Sequence, residues 1–228
     1  MLKQMARENS GIGLDRRFPS RLLSHFRQSP RALLFLVVTA FLTSPVWAGS
    51  SHAGVALLVV DMQSRFLDNL YLEDKEDLLR KQKDLFDWAS AHDLPVLVIQ
   101  MGNSSPTIPE VLSRASEFRR WAVVQKNNHG GLDSQVDAES IQILRAWGVT
   151  KLIPTGVYAS VCVRATVANA FGANFSILGA DDLVADPMHL QSGFYSKKSW
   201  RKEFPQENFV ENWTNQRFDQ MFCEESLL

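Results

Sequence analysis

Val55-Ala56-Leu57-Leu58-Val59-Val60-Asp61-Met62-Gln63 decides how the chain folds. Six apolar residues, half of them valine, are too few for a helix of ordinary length and have no polar face. A run of that kind is a strand covered on both sides. It stops at a carboxylate, Asp61. Downstream, Leu72 to His92 places Leu78, Leu79, Leu85, Phe86 and Ala89 on one face among Glu, Lys and Asp, the pattern of an amphipathic helix. Further apolar runs at Pro95–Gln100, Ala122–Gln125, Lys151–Pro154 and Phe175–Leu178 read as four more strands. Ala138–Trp147, leading into Gly148, and Cys162–Phe171, closed by Gly172, read as helices between them. Apolar strands alternating with helices predict an α/β fold: a three-layer α/β/α sandwich with a mainly parallel, Rossmann-like sheet. Past Asp186 the pattern fades through Ser192–Pro205, before a short helix near Trp213–Phe222.

In such sheets, function gathers at the carboxyl ends of the strands. Asp61 follows the first strand, Lys126 follows the third, and Cys162 begins the helix after the fourth. Each has a plainer reading when taken singly: a capping aspartate, a solvated lysine, a core thiol. Together they make a chemical set. A thiolate is favoured at a helix N-terminus and beside a cation, which Lys126 supplies. A carboxylate in the same pocket takes the thiol proton and returns it to a leaving amine. Backbone N–H groups before the helix suit a developing oxyanion.

Val-Val-Asp61-Met-Gln, Lys126 after the third strand, and Gly156-Val-Tyr-Ala-Ser-Val-Cys162-Val-Arg-Ala-Thr166 resemble the isochorismatase-like cysteine hydrolases over about Val55 to Asp186. That family includes nicotinamidases, N-carbamoyl amide hydrolases, ureido-compound hydrolases and isochorismatase. The resemblance implies Cys162 as nucleophile, Asp61 as acid/base and Lys126 as electrostatic support. It further implies a cis peptide at Val157–Tyr158, an oxyanion hole from the Tyr158 and Cys162 amides, Phe66 against the substrate, and a homo-oligomer. The sequence departs from the family pattern at Ala159 and Ser160, where Thr and Asp are common, and at Ser64-Arg65, where Asn-Asp is common. Nicotinamidase-like members carry metal-binding histidines after the second strand. Met101 to Glu110 has none here, so no metal and no cofactor are expected. His129 and His189 stand singly and read as loop or core residues, with His129 a candidate for the pocket wall.

The expected activity is hydrolysis of a small amide, carbamoyl or ureido C–N bond through a covalent intermediate on Cys162. Vinyl-ether hydrolysis driven by Asp61, or an idle binding module on the same fold, are the alternatives. The partner is a small-molecule substrate. Of 228 residues, 45% are hydrophobic and 21% charged, a globular composition. The formal charge of -1 conceals a net +5 over Met1–Arg31, leaving about -6 on the remainder, which argues against nucleic acid.

Arg27 and Arg31 precede the apolar run Ala32–Leu42, then Pro45 and Val46-Trp47-Ala48, the order of a secretory signal. The run falls short of the roughly 20 residues of a membrane span. Residues 1–48 are therefore expected to be a signal peptide or N-terminal anchor, and 49–228 the hydrolase domain. The product is exported, periplasmic or secreted, and meets a membrane only through an uncleaved N-terminus. Only Cys162 and Cys223 are present in the whole chain, so they form either one bridge or a reactive thiol and a bystander.

Overall fold

The computed structural model describes residues 54–135, 137–188 and 208–225, the last segment with side chains as far as 221. The expectations for residues 1–48, Ser192–Pro205, His189 and the Cys223 side chain lie outside the described residues.

β1 (Val55–Val60) is the sheet's central strand, buried at every position. It pairs in parallel with β2 (Val96–Met101) on one side and β4 (Lys151–Val157) on the other. β3 (Trp121–Lys126) lies beyond β2, and β5 (Ser176–Ile177) beyond β4, giving the order β3-β2-β1-β4-β5. Alternation along β1 then divides the interior. Val55, Leu57 and Val59 enter one core with Leu78, Leu85 and Phe86, whereas Ala56, Leu58 and Val60 enter a second with Ile141, Leu144 and Val167. A single turn, α1 (Ser64–Leu67), follows β1. The first core lies under α2 (Leu72–Ala91) and α3 (Pro109–Ser116), and the second under α4 (Ala138–Ala146) and α5 (Arg164–Gly172). This is the three-layer α/β/α sandwich expected from the sequence. Truncating Leu57 or Leu58 to Ala would cost about 2–5 kcal/mol, since both are fully buried.

One device returns the chain to the sheet three times. α2, α4 and α5 are each followed by a residue of positive φ: Asp93 (52°), Gly148 (73°) and Asn174 (63°). The next residue, Leu94, Val149 or Phe175, donates its N–H back to the carbonyl of Ala89, Leu144 or Ala170. This closing bond satisfies an orphan carbonyl and buries an apolar side chain at the start of the following strand segment. Gly172 is accordingly not the terminator the sequence suggested. It stays helical, and Asn174 takes the left-handed position, which short polar side chains tolerate.

Other expectations need correction. β4 runs three residues beyond Pro154, to Val157. β3 is an edge strand whose Trp121 and Val123 are exposed, so it is not covered on both faces. Lys126 is the last residue of β3 rather than the residue after it. α3 was hidden in a stretch that reads as a loop, because it starts at Pro109 and spans two turns. Three short strands were also missed: β6 (Gly179–Ala180), β7 (Val184–Ala185), which extends the pairing of β4, and β8 (Phe209–Val210), which pairs β6. Two-residue strands carry no periodicity to read. The terminal helix, α6, is Asn215–Glu225.

Candidate active site

Register brings four strand ends to one edge. Val60 lies beside Ile99 and Gly156, and Met101 beside Lys126. Gly156 (φ 127°) is required there, because a Cβ would stand 2.0 Å from the Val60 carbonyl oxygen. β4 can therefore press against β1 immediately before Asp61. Asp61 itself takes φ 53°, and its N–H donates to the Ile99 carbonyl at 2.8 Å. That turn points its carboxylate across the sheet end rather than along the strand alternation.

Lys126 reaches the same point from β3. Its ammonium lies 2.8 Å from Asp61 Oδ2, with both side chains only 1% exposed, and donates to the His129 carbonyl at 2.7 Å. The solvated-lysine reading is thereby set aside. Burial pushes the Asp61 carboxyl above its ordinary range, opposed by the charge of Lys126 and hydrogen bonds from Lys126, Cys162 and the Met101 backbone.

Cys162 is 5% exposed and free. It does not begin a plain α-helix. It sits in a π-helical turn, Ala159–Val163, which runs directly into α5. Wide turns of this kind re-aim side chains and often occur at functional sites. The Tyr158 carbonyl accepts from the Val161 and Val163 N–H groups, and the Val157–Tyr158 peptide is cis. Burial pushes the Cys162 thiol up to about 11. Lys126 and the Tyr158 amide oppose that rise, while the Asp61 charge and hydrogen bond reinforce it. The lowered thiol expected from the sequence is thus outweighed in the resting site, because desolvation exceeds the help of one shared cation.

Phe66 and Tyr158 pack edge to face with centroids 5.6 Å apart. The Tyr158 hydroxyl donates to the Phe66 carbonyl at 3.2 Å and accepts from Asn69 at 3.0 Å. His129 reaches the site as well, its Nδ1 3.8 Å from Cys162 Sγ.

Three supports were assigned no role from the sequence. Gln63 accepts from the Met101 N–H at 2.8 Å and donates to the Met101 carbonyl at 3.1 Å and to the Ser105 carbonyl, pinning the loop after β2. Asp186 accepts from both the N–H and the hydroxyl of Ser160, each at 2.8 Å, holding the cysteine turn. Thr166 donates to the Cys162 carbonyl at 2.7 Å and accepts from Gly131 N–H at 3.1 Å, tying that turn to the loop after β3. Gln63 was visible within the Asp-Met-Gln run. Asp186 was not, since a pairing across 26 residues leaves no local pattern. Among the described residues, no group of three or more His, Cys, Asp and Glu side chains is placed to hold a metal ion.

The isochorismatase domain model matches residues 55–204. No match is found among curated proteins. Among solved structures, the chain is similar to the MAR1 ribonuclease of Caenorhabditis elegans, with 17% identity over 75% of this chain and 82% of that one and a TM-score of 0.58. It is similar to a cysteine hydrolase from Pseudomonas syringae pv. phaseolicola 1448A, with 18% identity over 75% and 93% of the two chains and a TM-score of 0.54. N-carbamoylsarcosine amidase from Thermoplasma acidophilum shares 22% identity over 66% and 90%, with a TM-score of 0.51. At these identities the structural likenesses speak for the fold, and the domain match across most of the chain names the lineage. The chain belongs to the isochorismatase-like hydrolase family.

Proposed function

We propose that the protein hydrolyses a small amide, carbamoyl or ureido C–N bond through a covalent intermediate on Cys162, a thioester from an amide and a thiocarbamate from a carbamoyl or ureido group. The observation that carries the reading is the buried Asp61–Lys126 ion pair at 2.8 Å, at the same sheet edge as the free, buried Cys162 thiol. Asp61 takes the thiol proton as Sγ attacks the substrate carbonyl carbon. Lys126 holds the carboxylate in place from 2.8 Å. The oxyanion collects at the Tyr158 and Cys162 amides, and on collapse Asp61 returns the proton to the departing nitrogen. Water then adds to the covalent intermediate, losing its proton to Asp61, and the thiol is regenerated. Phe66 and Tyr158 flank the substrate. An amidase among the similar structures supports the choice of bond class.

A second reading has one observation in its favour. The upward-shifted Asp61 carboxyl suits a proton donor to a vinyl ether, with Cys162 a spectator. Turnover by Cys162→Ala separates the two across a screen of amides, ureido acids and isochorismate. The amidase reading expects loss of turnover in a folded variant, and a transient acyl mass on the Cys162 peptide of the wild type. Turnover near the wild-type rate by Cys162→Ala would refute it.

A further inference from the structure

Beyond the Asp61, Lys126 and Cys162 set, the thiol has a second titratable neighbour. His129 Nδ1 lies 3.8 Å from Sγ, within the reach of a sulfur hydrogen bond. The contact is not incidental to a surface loop. The Lys126 ammonium that pairs with Asp61 also holds the His129 carbonyl at 2.7 Å, so the lysine fixes the backbone from which the imidazole projects. Thr166 secures the same loop to the cysteine turn two residues further on, through the Gly131 N–H. The two proton acceptors occupy different surroundings. Asp61 is fully enclosed, whereas His129 is exposed.

We propose that His129 is a further catalytic residue, a second proton acceptor for the Cys162 thiol on the solvent side of the site. This inference rests on the reading of Cys162 as nucleophile. In the step, the S–H bond breaks, the proton passes to Nδ1, and the electron pair stays on sulfur. A thiolate–imidazolium pair forms with no net change in charge, its thiolate enclosed and its imidazolium open to solvent. The charged and titratable groups around the imidazole are Cys162 from the turn after β4, Lys126 at the end of β3 and, across Lys126, Asp61 after β1. Asp137, ahead of α4, also feels the Lys126 charge. A thiol coupled to an imidazole loses its protons in two macroscopic steps rather than one. The singly protonated pair then holds reactive thiolate well below the pH at which an isolated buried thiol would ionise.

Alkylation of the full chain by iodoacetamide tests this without a substrate. The probe is followed by mass on the Cys162 peptide from about pH 5 to pH 10, in a Cys223→Ser background. With His129 present, the rate–pH profile should show a shoulder below the main rise. His129→Asn and His129→Gln should both lose the shoulder and react about tenfold more slowly at neutral pH, the least coupling that separates two steps. Asp61→Asn should keep the shoulder. A His129→Asn profile that superimposes on the wild type, or a shoulder that vanishes with Asp61→Asn and survives His129→Asn, overturns the proposal. Neither result bears on whether Cys162 forms a covalent intermediate, which the acyl-mass measurement decides separately.

Discussion

Consider removing the Lys126 ammonium from beside Asp61. The two charges are 2.8 Å apart with 1% of each side chain exposed. At an effective dielectric constant near 20 their attraction is about 6 kcal/mol, and most of it offsets the cost of taking both ions out of water. Removing one partner leaves that cost uncompensated, so Lys126→Met should lose about 3–5 kcal/mol, a large part of the stability of an ordinary domain. The loss should shrink as the pH falls. Asp61 is already raised by burial and, without Lys126, escapes the penalty by taking up a proton. Asp61→Asn should be costly at all pH values, because a lysine with no counter-ion remains enclosed. Asn also suits the positive φ of that position. The double variant, Asp61→Asn with Lys126→Met, buries no charge and should recover about 2–3 kcal/mol relative to the sum of the single losses. Urea unfolding at pH 8 and pH 5 gives all four corners of the cycle, read as shifts in midpoint at constant slope. The double variant should nevertheless remain without turnover, since stability returns and the acid/base group does not. Losses that add to within about 0.5 kcal/mol would show that the two groups are not coupled, and would remove the basis for treating them as one device.

Cys162 makes a second pH-dependent contribution. Its thiol rises from 9.0 to about 11 on folding, so the folded state holds the proton more tightly than the unfolded chain does. That stability is complete below about pH 9 and is lost as the pH climbs through about 11, amounting to about 2–3 kcal/mol. Cys162→Ala should therefore flatten the alkaline end of a stability–pH curve, and an unchanged alkaline loss would refute the assignment. For the N-terminal region we propose export with processing after Ala48. N-terminal sequencing of the exported protein should begin at Gly49, and a protein found only in the cytosol with residues 1–48 intact would exclude it.

The β1 run by itself determined the architecture. Six consecutive apolar residues cannot be covered from one side, so helices on both faces follow from burial alone. The same run, ending in Asp61, placed a carboxylate at the sheet's carboxyl edge, and Lys126 and Cys162 fell at corresponding strand ends. What local sequence could not express was environment. Lys126 reads like any loop lysine until β3 lies beside β2, and only then is its ammonium enclosed against Asp61. The Cys162 thiol was expected to be lowered, since a helix start and a cation are visible in sequence while desolvation is a property of the assembled pocket. Its upward shift belongs to tertiary structure. The Ser160–Asp186 clasp and the approach of His129 to sulfur are decided there too. Both join residues more than twenty positions apart, whose meeting depends on how β4 packs against its neighbours and on a loop whose His129 carbonyl is held by Lys126. Periodicity records which face of an element is buried, whereas the chemistry of a site depends on which charges are buried together.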